Sequence, residues 1–134
     1  MATATALQVI ERAARRVNIL AAEEALNANE LVDALQIMND MMFNFPARGI
    51  QYVHTQLASG DTVNVPDAQI RNVIFLLADE LADDFGMQIT PDLRNDISRA
   101  EQQLQAFYYV VPPAKLARGL LRWRWGLFNI TKGY

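Results

Sequence analysis

Residues 67–86, DAQIRNVIFLLADELADDFG, decide the fold. Ile70, Val73, Ile74, Phe75, Leu76, Leu77, Ala78, Leu81, Ala82 and Phe85 occupy more of a helix's circumference than the single stripe by which a surface helix docks. The segment therefore reads as a helix enclosed by the rest of the chain. Asp67 is placed to cap its start by accepting from first-turn amides, and Gly86 to end it in a left-handed conformation. The apolar run is too short, and too acidic at Asp79, Glu80, Asp83 and Asp84, for a bilayer span, which takes about 20 predominantly apolar residues. A core helix of a soluble protein is expected.

Immediately before it, residues 50–57 (IQYVHTQL) are rich in β-branched and aromatic side chains and read as a strand. Residues 58–61 (ASGD) supply a turn, and residues 62–65 a shorter returning strand ahead of Pro66. The expectation is a β-hairpin or extended arm over 50–65. Two strands alone bury too little surface to be stable, so the arm needs the bundle or a neighbouring subunit and reads as an assembly element.

Further upstream, Asn27 and Glu30 have capping-box spacing, and Leu31, Leu35, Met38, Met42 and Phe45 follow at helical intervals. A second helix is expected to about Asn44, ended by Pro46 and Gly49. The group Met38, Met41, Met42, Phe43 and Phe45 reads as core packing more readily than as an adaptable methionine surface. Thr5 and Gln8 repeat the capping-box spacing, and Leu7, Ile10, Ala14 and Val17 mark a first helix ending near Asn18. Its Arg12, Arg15 and Arg16 read as a solvated or subunit-contacting face, with phosphate contact as the alternative. Residues 19–28 carry no decisive pattern.

Downstream, Thr90 as cap and Pro91 in the first helical position open a fourth helix. Leu93, Ile97, Ala100, Leu104, Phe107 and Val111 form a narrow seam suited to antiparallel packing on the central helix, and Pro112 and Pro113 stop it. The predicted fold class is mainly α: an antiparallel bundle of about four helices over residues 1–111, with the hairpin arm at 50–65 and an extended C-terminal tail over 112–134.

A chain of 134 residues, 51% hydrophobic and 20% charged, suits one domain with one core. Without cysteine, the fold holds by packing. The N-terminus lacks the layout of a secretory signal, so residence in a cytoplasm is expected. The net charge of −3 conceals a separation: residues 1–101 hold seven arginines and all 15 acidic residues, a net −8, whereas residues 102–134 carry Lys115, Arg118, Arg122, Arg124 and Lys132, a net +5.

Such a basic end points to docking on nucleic acid, on an acidic protein surface or on another copy of the chain, against a plain solvated tail. Leu120, Leu121, Trp123, Trp125, Leu127 and Phe128 would together expose a sticky patch of the kind that marks a binding site, unless the tail folds back on its own bundle. The 21 residues from 114 to 134, fully extended, reach roughly 70 Å. The RWRW run at 122–125 is also a weak match to single-strand stacking platforms.

Catalytic signals are sparse. His54 is the only histidine, with no nucleophile or second metal ligand near it in sequence, and reads as a strand residue with a satisfied ring. Asp79, Glu80, Asp83 and Asp84 lie within two turns and allow a hydrolytic pair or divalent-ion site, but the commoner use is a solvated face. No phosphate-binding glycine loop, nucleophile elbow or zinc spacing accompanies them. No catalytic residue, metal ligand or cofactor is expected.

The order of parts resembles the head-to-tail adaptor family of tailed bacteriophages, also described as head-completion or packaged-DNA-stabilisation proteins. The likeness runs through ALQVIERAARRVNI, ELVDALQIMNDMMFNF followed by ARGI, GDTVNVPDAQIRNVIFLLADELADDFG leading into TPDL, and the terminal FNITKG. The tryptophan usual near the end of the second helix is here Phe43 or Phe45.

The resemblance implies a structural virion protein, assembled in the host cytoplasm and residing in the virion neck. There it would form a dodecameric ring beneath the portal protein, extending the DNA channel, helping to retain packaged DNA and receiving a downstream tail or nozzle protein. DNA would pass without sequence-specific binding, and no membrane is involved. Carried onto this sequence, portal binding falls to Leu120, Leu121, Arg122, Trp123, Arg124, Trp125, Leu127 and Phe128. Subunit or tail contact falls to the 50–65 arm through Tyr52, His54, Gln56 and Asp61. The alternatives are a small DNA-binding regulatory module, which would need a basic recognition helix, and a cell-wall-degrading activity resting on the acidic run.

Overall fold

The computed structural model describes residues 4–114 of the chain. They form four helices, α1 (Ala6–Arg16), α2 (Ala28–Phe43), α3 (Asp67–Asp84) and α4 (Pro91–Phe107), with a single 3-10 turn, Phe45–Arg48, after α2. The chain is mainly helical, and α3 is its hub. Ten of its residues are buried, among them Val73, Ile74, Leu76, Leu77 and Leu81, and it packs against each of the other three helices. α4 runs antiparallel to α3: Asn72 and Phe75 share a hollow with Arg99 and Gln103, whereas Asp83 shares one with Arg94.

Helix ends follow the local chemistry of the sequence. Thr5 and Asn27 each complete a capping box with Gln8 and Glu30, and Thr90 accepts from the Leu93 amide at 3.3 Å. α3 differs from expectation, since Pro66 holds the cap position and Asp67 is the first helical residue. Its acid still lies at the positive end of the helix dipole. Left-handed Gly86 (φ 67°) stops α3, with the Met87 amide donating to the Ala82 carbonyl at 2.8 Å in a Schellman turn. Asn18 (φ 58°) ends α1 in the same way, the Ile19 amide reaching the Ala14 carbonyl at 2.9 Å.

The expected β-hairpin at 50–65 is not formed: no strand or sheet occurs among the described residues. The alternation itself is real, for Ile50, Tyr52 and His54, then Val63 and Val65, are buried while the residues between them are exposed. What differs is the backbone's partner. The returning limb pairs with the start of α1, where the free amides of Ala6 and Leu7 donate to the carbonyls of Asp61 (2.8 Å) and Ser59 (3.0 Å). The Val63 amide donates to the Ala4 carbonyl at 3.0 Å, and Thr5 and Thr62 form one antiparallel bridge. Helix N-termini leave amides without intrahelical acceptors, and this loop supplies them.

The outgoing limb is held by Asn39, a buried polar residue of α2. Its amide donates to the carbonyls of Leu35 and Leu57, both at 3.0 Å, and its oxygen accepts from the Leu57 amide at 2.9 Å and from His54 Nε2 at 2.8 Å. One side chain thus imitates a strand edge and fastens residues 54–57 to the bundle. The α4 seam also stops early: Ile97, Ala100 and Leu104 are buried, but the helix ends at Phe107, and Val111 is 74% exposed.

Asn39→Ala is expected to destabilise the protein by roughly 2–4 kcal/mol, because it removes the partner of the half-buried Leu57 amide and carbonyl and of the buried His54 ring. Urea unfolding measures the loss. Hydrogen exchange should show the Leu57 amide losing protection more than the amides of α3.

Candidate interaction surfaces

The four arm residues expected to form one contact surface are divided. Tyr52 (7% exposed) and His54 (8%) point into the body, with ring centroids 6.1 Å apart, whereas Gln56 and Asp61 are on the outside. Asp61 shapes the turn, its carboxylate accepting from the Ala58 amide at 2.7 Å. The His54 ring is only half satisfied: Nε2 donates to Asn39, while Nδ1 is buried without a partner. Burial holds its pKa below the usual histidine value.

Around these two residues an aromatic cluster joins three elements. Phe43 meets the His54 ring edge-on at 4.7 Å, and Tyr52 contacts Phe45 at 6.1 Å and Tyr108 at 5.5 Å. Burial raises the pKa of both tyrosines, so their phenols stay neutral. The margin of the cluster is open. Phe43, Val53 and Phe107 are exposed, and so are Tyr109, Val110 and Val111, where the chain leaves the bundle toward its basic end. Exposed apolar side chains around one cluster make this margin a candidate interaction surface.

Arg48 locks the 3-10 turn to the last two helices. Its guanidinium bonds to Glu101 at 3.0 Å and Glu80 at 3.3 Å, and its carbonyl accepts from the Gln105 amide at 2.7 Å. Glu80 is thereby engaged in structure, which leaves Asp79, Asp83 and Asp84 as the outer part of the acidic run. Among the described residues no group of three or more histidine, aspartate or glutamate side chains is arranged to hold a metal ion. No helix there is long and apolar enough to cross a membrane.

Charge on the bundle is unevenly distributed. Arg12, Arg15 and Arg16 of α1 and Arg71 of α3 line a hollow of about 530 Å³ together with Asp67, with Ile70 and Ile74 in its wall, and Arg15 pairs with Glu11 at 3.7 Å. The guanidinium carbons of Arg16 and Arg71 lie 4.6 and 5.4 Å from the Phe75 ring centroid, a cation–π arrangement. Arg71 also borders a smaller hollow with Arg99. Toward the other end of α3, Asp40, Glu80, Asp83 and Asp84 line a hollow of about 490 Å³ between α2 and α3. Asp83 and Asp84 sit in the last turn of α3, where the helix dipole disfavours negative charge and the turn itself holds no basic residue, although Arg94 of α4 shares a hollow with Asp83.

Neither Asn39 nor Arg48 was marked by a motif. Asn39 could have been found as a polar residue interrupting the apolar face between Leu35 and Met42. Arg71 and Arg99 join the arginines of α1 only through tertiary packing. The expected portal-binding residues Leu120, Leu121, Arg122, Trp123, Arg124, Trp125, Leu127 and Phe128 lie outside the described residues. Compared with protein-family models and with curated proteins, the chain matches none.

The buried His54 ring sets a pH dependence. Its folded pKa lies below the unfolded value of about 6.5, so the unfolded chain takes up a proton first as pH falls. Its stabilising contribution is complete above about pH 6.5 and is lost on acidification through the folded pKa. Urea titrations at about pH 7, 6 and 5 should show stability falling over this window, and His54→Gln should flatten that part of the slope.

Proposed function

We propose that this chain is a structural protein of the phage neck, a head-to-tail adaptor that assembles as a dodecameric ring on a portal protein. In this reading the ring extends the DNA channel, helps to retain packaged DNA and offers the attachment site for the tail. The helical bundle is the wall of the ring, and the segment beyond residue 112 is the part that reaches the portal. DNA slides past a body whose net charge is negative and is not gripped by it.

The observation that carries the reading is the division of the chain into an acidic bundle and a basic, tryptophan-rich end. All 15 acidic residues lie at or before Glu101, and both tryptophans and five basic residues lie after it. The bundle gives that end a point of departure, since the exposed run Tyr109–Val110–Val111 leads away from the aromatic margin formed by Phe43, Val53 and Phe107. Tryptophan and arginine are the residues that most often anchor protein interfaces. The resemblance in the order of parts supplies the identity of the partner.

Light scattering on the full chain mixed with candidate portal rings should yield a ring-sized complex. The double variant Trp123→Ala/Trp125→Ala should bind at least about tenfold more weakly, as expected when interface anchors are truncated. Unchanged binding by that variant would count against the assigned anchors. Indifference of the full chain to every portal, together with salt-sensitive binding of single-stranded DNA, would return the basic end to nucleic acid.

A further inference from the structure

We infer that the arginine-lined hollow between α1 and α3 is the docking surface for a second copy of this chain, which presents the acidic hollow between its α2 and α3. The inference deepens the ring reading and rests on it for the choice of occupant. Arg12, Arg15, Arg16, Arg71 and Arg99 are all exposed and span α1, α3 and α4 in one band. On an otherwise acidic body these five arginines outnumber the acids beside them, Asp67 and Asp96 in the same hollows and Glu11 paired with Arg15 at 3.7 Å, and the wall is partly hydrocarbon, from Ile70 and Ile74. Arginine over an apolar floor suits carboxylates carried on a protein surface, which bring carbon to the floor as well as charge to the guanidinium groups.

The surface of opposite charge exposes Asp40, Asp83 and Asp84. Its placement sets the geometry. Twelve residues separate Arg71 from Asp83 along α3, a rise of roughly 18 Å, and Glu80 is turned roughly half a revolution from Arg71. The two surfaces therefore face different directions at different heights. A contact between unlike patches is heterologous, and repeating it head to tail closes a ring when the rotation permits. The last-turn position of Asp83 and Asp84 works against α3 as a helix, and a partner's guanidinium groups would reverse that penalty.

A mixing experiment with the full chain tests this. One variant carries Arg12→Gln, Arg16→Gln and Arg71→Gln, and the other Asp40→Asn, Asp83→Asn and Asp84→Asn. Each retains one working surface, so neither should associate alone, while the mixture should form a 1:1 heterodimer and no larger species in sedimentation velocity. Its affinity should fall at least about tenfold between ~50 mM and ~0.5 M salt. Circular dichroism checks that both variants fold, and lysine at the three arginine positions should keep association.

A silent mixture of folded variants overturns the inference. So does association of the arginine variant equal to that of the natural chain, or a band that binds short duplex DNA while copies stay apart. Portal capture without a heterodimer sinks this interface and leaves the adaptor reading standing. A heterodimer without portal capture does the reverse.

Discussion

Everything in this protein depends on keeping water away from α3. Its middle turns are apolar on nearly every side, and each large side chain moved out of water contributes roughly 1.5–3 kcal/mol, so no arrangement with a solvated face competes. Enclosure requires neighbours on several sides at once. α1, α2 and α4 supply them, and the extended run from Ile50 to Val65 adds five further buried side chains. The charged residues of α3 are consequently pushed to its two ends and outer edges. That displacement separates Arg71 from Asp83 and Asp84, so that packing groups the former with the arginines of α1 and the latter with Asp40 of α2.

The second organising feature is the supply of hydrogen-bond partners to a segment without a sheet. Residues 50–65 alternate as a strand does, and that pattern was readable because it reports which side chains face inward. It carries no information about what the backbone pairs with. Here one limb bonds to an asparagine side chain and the other to the amides at the start of α1, so the segment belongs to its own bundle and caps it. Capping boxes at Thr5 and Asn27 and the glycine stop at Gly86 were readable for the opposite reason: their partners lie three to five residues away.

The same distinction explains what could be foreseen of the interaction surfaces. Arg12, Arg15 and Arg16 share a helix face by spacing alone, but only packing brings Arg71 and Arg99 beside them and sets Asp40 near Asp83. Arg48 stood in the sequence as one of seven arginines in the acidic body, and its role as a clamp on Glu80 and Glu101 depends on helices 32 and 53 residues away. The apolar periodicity of α4 persists to Val111, but among the described residues the helix ends at Phe107, and Phe107 and Val111 are exposed. Those exposed residues lead directly into the basic, tryptophan-rich end, and the partition of charge between bundle and end was visible from composition alone.

Among the described residues the buried apolar side chains lie between Ala4 and Leu104, and the proposed adaptor role assigns the segment after Ala114 to a partner. Thermal unfolding followed by circular dichroism, comparing the full chain with one ending at Ala114, tests this most directly. The two are predicted to have the same helical signal per molecule and midpoints within a few degrees, since a shift of about 4 °C would already correspond to about 1 kcal/mol in a domain of this size. Loss of the helical signal or of cooperative unfolding in the shorter chain would show that the basic end is part of the core, and would contradict the division between bundle and docking segment.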